Sequence, residues 1–173
     1  MQLSPTPAGH PDGPAKPPLS DAQQARRAWL AVLAQAPRAD LEQALHAALP
    51  DGLPPYDWLR APETGLAMVR GRVGGSGDAF NLGEATVTRA TLRLRSQDSR
   101  SATVGVAYQL GRDKRCAELA ALSDALLQLP ALHDLLHRRV IAPLAKARTA
   151  QHDQERHAAA ATRVEFFTMV RGD

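Results

Sequence analysis

The sequence predicts an α+β fold: an antiparallel sheet of three to four strands packed by helices from both ends of the chain. Two observations give the sheet. Side chains alternate with a period of two through residues 66–73 and 85–95, which a polar loop joins, and again through residues 103–110, as a half-buried strand requires. The connection between the last two of these runs, SQDSRS, is short and polar, which suits antiparallel neighbours rather than a parallel crossover. A third observation gives the helices: apolar residues recur at helical spacing before residue 50 and again after residue 113.

Residues 1–19 carry six prolines, from Pro5 to Pro18, and almost no bulky apolar side chains. Such a segment cannot bury enough surface to offset its ordering entropy, so it is predicted to be a disordered tail preceding one domain over residues 20–173. Ser20 and Gln23 have the spacing of a capping box and open a helix with Ala25, Ala28, Trp29, Val32 and Leu33 on one face. Pro37 stops it. Asp40 is the expected cap of a second helix that buries Leu41, Leu45, Ala48 and Leu49, with His46 at its solvated edge. Pro50, Gly52, Pro54 and Pro55 end that helix, and Tyr56-Asp57-Trp58-Leu59 leads into the sheet.

The first strand sets Leu66, Met68, Arg70 and Arg72 on one face and Ala67, Val69, Gly71 and Val73 on the other. The second, from about Ala85, sets Thr86, Thr88, Ala90, Leu92 and Leu94 against Val87, Arg89, Thr91, Arg93 and Arg95. Between them Gly74, Gly75 and Gly77 make a loop able to aim several N–H groups at one point, with Arg70, Arg72 and Arg89 expected beside it. Backbone donors and guanidinium groups together suit a polyanion such as a phosphate chain; the alternative is a hairpin loop with solvated arginines. The loop is neither a Walker A sequence nor a dinucleotide fingerprint, because no Gly-Lys-Ser/Thr and no helix follows the glycines. Glu63, just before the strand, serves either a metal or a neighbouring arginine, and the arginine is the simpler expectation.

The third strand alternates Val104, Val106, Tyr108 and Leu110 with Thr103, Gly105, Ala107 and Gln109. Asp113 is placed to cap the next helix, which runs to about Gln128 with Cys116, Leu119, Leu122 and Leu126 on one face. That position makes Cys116 a small core residue rather than a nucleophile. Pro130 begins a long helix that Pro143 should kink or interrupt. His133 and His137 share a face there, but no Glu follows His133 in a HExxH pattern and Leu135 and Leu136 lie between the pair, so no metal site is expected. The run from Val164 to Val170, with Phe166 and Phe167, is apolar and strand-like; it either adds a strand to the sheet or docks on a partner.

Composition narrows the function. A net charge of +3 and 4% aromatics argue against nucleic acid, for which a stacking platform on the strands is also missing. One cysteine permits no intrachain disulfide and no cysteine-ligated cluster, and it fits a cytoplasmic setting. No apolar run reaches the ~18 residues of a membrane span, and the N-terminal residues do not read as a secretory signal. There is no Ser-His-Asp order and no carboxylate pair on a short loop, so the chain reads as a subunit or binding module rather than a free-standing enzyme.

The blocks PETGLAMVRGRVGGSGDAFNLGEATVTRA, YQLGRDKRCAELAALSDALLQ, VIAPLA and ATRVEFFTMVRGD, in that order, resemble the PhnG subunit family of the bacterial carbon–phosphorus lyase system. The resemblance runs from about Arg26 to the C-terminus. It implies a role in phosphonate catabolism inside a complex with PhnI, PhnH, PhnJ and PhnL-like proteins. There a phosphonate such as methylphosphonate displaces adenine from the ribose C1′ of MgATP, giving an α-D-ribose 1-phosphonate 5-triphosphate. MgATP is then a substrate of the complex, and no cofactor is expected on this chain. The resemblance assigns no catalytic residue. Arg70, Arg72, Arg89, Arg112 and Lys114, with the loop glycines, are the candidates for contact with anions or with a partner, and Phe166, Phe167 and Val170 for partner docking. Two roles follow: a subunit that contributes residues to the substrate site, or an architectural subunit that stabilises PhnI.

Overall fold

A computed structural model describes residues 18–72, 77–95 and 102–161. The described elements run α1 (Asp21–Leu33), α2 (Arg38–Ala48), β1 (Tyr56–Arg72), β2 (Ala79–Leu94), β3 (Val104–Leu110), α3 (Lys114–Leu127), α4 (Pro130–Leu136), a π-helical turn (His137–Ile141) and α5 (Ala142–Ala161). The strands form an antiparallel sheet in the order β1-β2-β3. The α+β prediction holds, with helices contributed by both ends of the chain.

The caps form largely as the sequence predicts. Ser20 and Gln23 make a reciprocal capping box on α1, and Asp113 accepts a hydrogen bond from the Cys116 amide at 2.9 Å to open α3. Asp40 does not cap α2. Pro37 takes that place, and Asp40 falls in the first turn, where a carboxylate still favours the positive end of the helix dipole. The long helix from Pro130 is interrupted just before Pro143, as expected. A π turn sits just before it, with the Ala142 amide bonding back to His137, and this relieves the steric demand of a proline ring on the preceding turn.

The core is aliphatic. α3 is its centre, buried on nearly every side rather than on the single face predicted. It lies across one face of the sheet, against Thr88, Ala90, Leu92 and Leu94 of β2 and Gly105, Ala107 and Gln109 of β3. The second strand therefore buries the parity read from the sequence. β3 buries its small and polar side chains and turns Tyr108 and Leu110 outward, 63% and 59% exposed. Gly105 explains the choice of face. A Cβ there would overlap the Ala121 carbonyl and lie 2.8 Å from the Ala125 side chain, so β3 can approach α3 only on its small-residue face. α1 buries Trp29, Val32 and Leu33, but Ala25 and Ala28 are exposed.

β1 and β2 are far longer than β3, and so outrun both β3 and α3. Beyond the Gly65–Val87 pair they continue as a two-stranded arm. Its residues are exposed on both faces, which corrects the expectation that the first strand is half-buried along its length. A bulge between Val69 and Arg70 brings Leu82 over Gly71, where a Cβ would lie 2.6 Å from a Leu82 methyl.

Candidate functional site

The predicted cations fall into three separate places. Arg70 and Arg72 stand near the far end of the arm and donate to backbone carbonyls, Arg70 to Ala79 at 3.4 Å and Arg72 to Gly77 at 2.9 Å. Arg89 is not beside the glycine loop. It pairs across the strands with Glu63, roughly 30 Å from Arg72 at ~3.3 Å per strand residue. Its guanidinium meets the Glu63 carboxylate at 2.7 Å, and Arg60 meets the same oxygen at 2.9 Å. Arg112 and Lys114 are exposed at the exit from β3, at the neck of the arm. Gly77 bounds the described part of the loop, while Gly74 and Gly75 lie outside the described residues. So do Phe166, Phe167 and Val170. The positions that are described do not converge on one phosphate cradle.

Glu63 acts on arginine, as expected. Chiefly the hydrogen bond from Arg89 holds its carboxyl below the usual carboxylate range, with Arg60 adding to the effect. A depressed pKa stabilises the fold above the unfolded value, and the contribution is lost as pH falls through the lowered folded value. The Glu63 side chain is about half exposed, so solvent screens the effect. Arg89→Gln is expected to raise the Glu63 midpoint towards 4.5, its unperturbed value, in a carbon-detected NMR titration. An unmoved midpoint would mean that the pair does not form in solution.

The other titratable groups settle into structural roles. The His133 Nδ1–H donates to the Leu127 carbonyl at 2.7 Å, and its ring meets Trp29 edge-on and stacks on His137. Among the described residues, no three His, Cys, Asp or Glu side chains are placed to hold a metal ion. Cys116 is buried, and its Sγ lies 3.4 Å from the Ala36 carbonyl. Burial pushes its thiol up to about 11, with Asp113 adding to the shift, so it stays protonated at neutral pH. Tyr56 donates to Glu118, and desolvation followed by that contact raises its phenol to about 12.

One residue that sequence reasoning passed over organises the molecule. The Asp124 carboxylate is fully buried and accepts from Arg26 at 2.7 and 3.1 Å, Trp29 Nε1 at 2.9 Å and the Val106 amide at 2.9 Å. Gln128 adds a bond to the Val104 carbonyl at 2.9 Å, Arg26 reaches the same carbonyl, and the Leu110 amide bonds to Ala34. Together these groups occupy the outer edge of β3. A charged residue amid AALSDALL was the available signal. A hollow of about 770 Å³ between the start of α1 and α4 is floored by Trp29, Leu127, Pro130 and His133. Arg26, the arginine that lines it, is held by Asp124, which makes it a poor anion site.

Comparison with known proteins decides what this scaffold is. A sequence model of the family described as "Phosphonate metabolism protein PhnG" matches residues 24–172. The chain belongs to the PhnG family. It is 46% identical over 151 residues to the alpha-D-ribose 1-methylphosphonate 5-triphosphate synthase subunit PhnG of Rhizobium meliloti (strain 1021), covering 86% of this chain and 90% of that relative. The matched span takes in the arm, the sheet and α3, so the dispersed cations and the Asp124 hub both lie within a PhnG-family chain.

Proposed function

We propose that this PhnG-family chain is a subunit of an alpha-D-ribose 1-methylphosphonate 5-triphosphate synthase and acts in organic phosphonate catabolism. The similarity to the Rhizobium meliloti subunit, over nearly the whole of both chains, carries this reading. In it, PhnI, PhnH, PhnJ and PhnL-like proteins are the partners, and ATP and an alkylphosphonate are substrates of the assembly. The phosphonate bonds to the ribose C1′ as the bond to adenine breaks. The setting is cytoplasmic; no described helix is long and apolar enough to cross a membrane.

Within the complex, the separation of the cations supports an architectural contribution. Arg89 is taken by Glu63, and the neck cations lie roughly 20 Å from Arg72 along the strands. The second reading rests on Arg70 and Arg72. They make no ion pair among the described residues, and an arm could carry them to a triphosphate or phosphonate held by a neighbour. The apolar run at Phe166, Phe167 and Val170 is a further docking candidate on its sequence.

Reconstitution separates the two. PhnI, PhnH and PhnL from the same source are mixed with MgATP and methylphosphonate, and adenine release is followed with and without this chain. The expected result is adduct formation only when the chain is present. Arg70→Lys and Arg72→Lys should change the rate less than twofold if the chain is architectural, since both keep the charge. A loss of about tenfold or more, with assembly intact, would place a bidentate arginine contact in the substrate site. If omitting the chain changes nothing, the subunit reading fails.

A further inference from the structure

The two edges of the sheet are treated differently. The outer edge of β3 is closed: Arg26 and Gln128 take the Val104 carbonyl, Asp124 takes the Val106 amide, and Ala34 takes the Leu110 amide. β1 forms the other edge, and beyond Pro62 no described strand or helix pairs with it. An open edge of this length is a template for another strand, which proteins blunt unless they use it.

The face beside that edge carries a run of apolar side chains next to the Glu63–Arg89 pair. Val106, Tyr108 and Leu110 of β3 continue through Val87 of β2 to Ala67 and Val69 of β1. In the middle lies a hollow of about 240 Å³ over Gly65, rimmed by the Glu63–Arg89 pair. Gly65 has no positive φ, and a Cβ there would meet nothing within 4 Å. Nothing among the described residues therefore requires a glycine at this position. Close approach of a ligand or another backbone is one of the uses of a glycine within a strand.

We infer that the edge of β1 from Glu63 to Arg72, with the hollow over Gly65, docks an extended apolar segment of another protein subunit, by strand addition. The inference rests on the subunit reading above and names the surface that serves it. Charge selects the occupant. Arg70 and Arg72 hold only carbonyls, so the fitting segment has an apolar side chain over Gly65 and an acidic residue towards the arm's end.

The test uses the full chain co-expressed with the other synthase subunits of its source, one of them tagged. Gly65→Trp starts from a Cβ in open space and sets its ring in the hollow, so it should show wild-type circular dichroism yet be depleted about tenfold from the complex. Gln43→Trp, on the exposed side of α2, should remain bound. Amides within residues 63–72 of the wild-type chain should exchange about tenfold more slowly in the complex than in the free chain. Retention of Gly65→Trp, or unchanged exchange, overturns the inference; should the variant fail to fold, the exchange measurement decides alone. Loss of the wild-type chain from the complex overturns the subunit reading itself. A free-chain dimer abolished by Gly65→Trp would make a second copy the occupant. Protection in the free monomer that disappears when residues 162–173 are removed would make this chain's own end the occupant. Either result overturns the inference.

Discussion

Asp124→Ala is expected to lower the unfolding free energy by about 3–5 kcal/mol, the range for breaking a buried ion pair by removing one partner. The carboxylate is fully buried, while the Arg26 side chain is 34% exposed. Removing the acid strands the Trp29 and Val106 N–H groups, which the hub otherwise satisfies. Removing the base is no milder. Arg26→Met keeps those two donors but leaves a fully buried carboxylate without its cation, so its loss should fall in the same range. Urea unfolding monitored by Trp29 and Trp58 fluorescence measures both. A loss under about 1 kcal/mol for Asp124→Ala would show that the hub contributes no more than an exposed pair. The same variant should speed exchange along β3, because Asp124 holds the Val106 amide and supports Arg26 and Gln128 at Val104. The residue thus links α1, β3 and α3, and it closes the edge that would otherwise compete with β1 for a strand.

Gly105→Ala is expected to destabilise the chain by about 3 kcal/mol, the upper end of overpacking penalties. The added methyl meets α3 backbone, which cannot turn aside as the tip of a flexible side chain can. The identical change at Gly65 should be silent or should stabilise by ~0.4–1 kcal/mol through reduced unfolded-state entropy. Both glycines are in strands and neither has a positive φ, so composition and propensity treat them alike. Only their surroundings differ. Denaturant melts of the two variants side by side provide the check. A neutral Gly105→Ala would mean that α3 does not seat against β3 as described.

Much of the local structure was legible in the sequence. The capping box at Ser20, the Asp113 cap, the buried Leu41, Leu45 and Ala48, and the buried parity of Thr88 to Leu94 depend on residues close in the chain. The separated blocks that resemble PhnG proteins were legible for the same reason, since family likeness is carried by the order of residues. Glu63 was read correctly as a partner for arginine because the alternatives nearby were few.

What the sequence could not decide was set by contacts between distant segments. Two-residue alternation in β3 marks its faces but not which of them meets α3. That choice falls to Gly105, because only the glycine face can approach the Ala121 and Ala125 backbone. Arg89 was expected at the glycine loop, but strand register places it opposite Glu63. Asp124 looked like one charge in an apolar helix until α1 and β3 supplied its donors. The arm has the same origin: the alternation from Leu66 in β1 reads like that of a half-buried strand, yet β3 and α3 end halfway along the pair. Periodicity is written locally, residue by residue. Burial is a property of whatever lies opposite, and only the assembled tertiary structure supplies that.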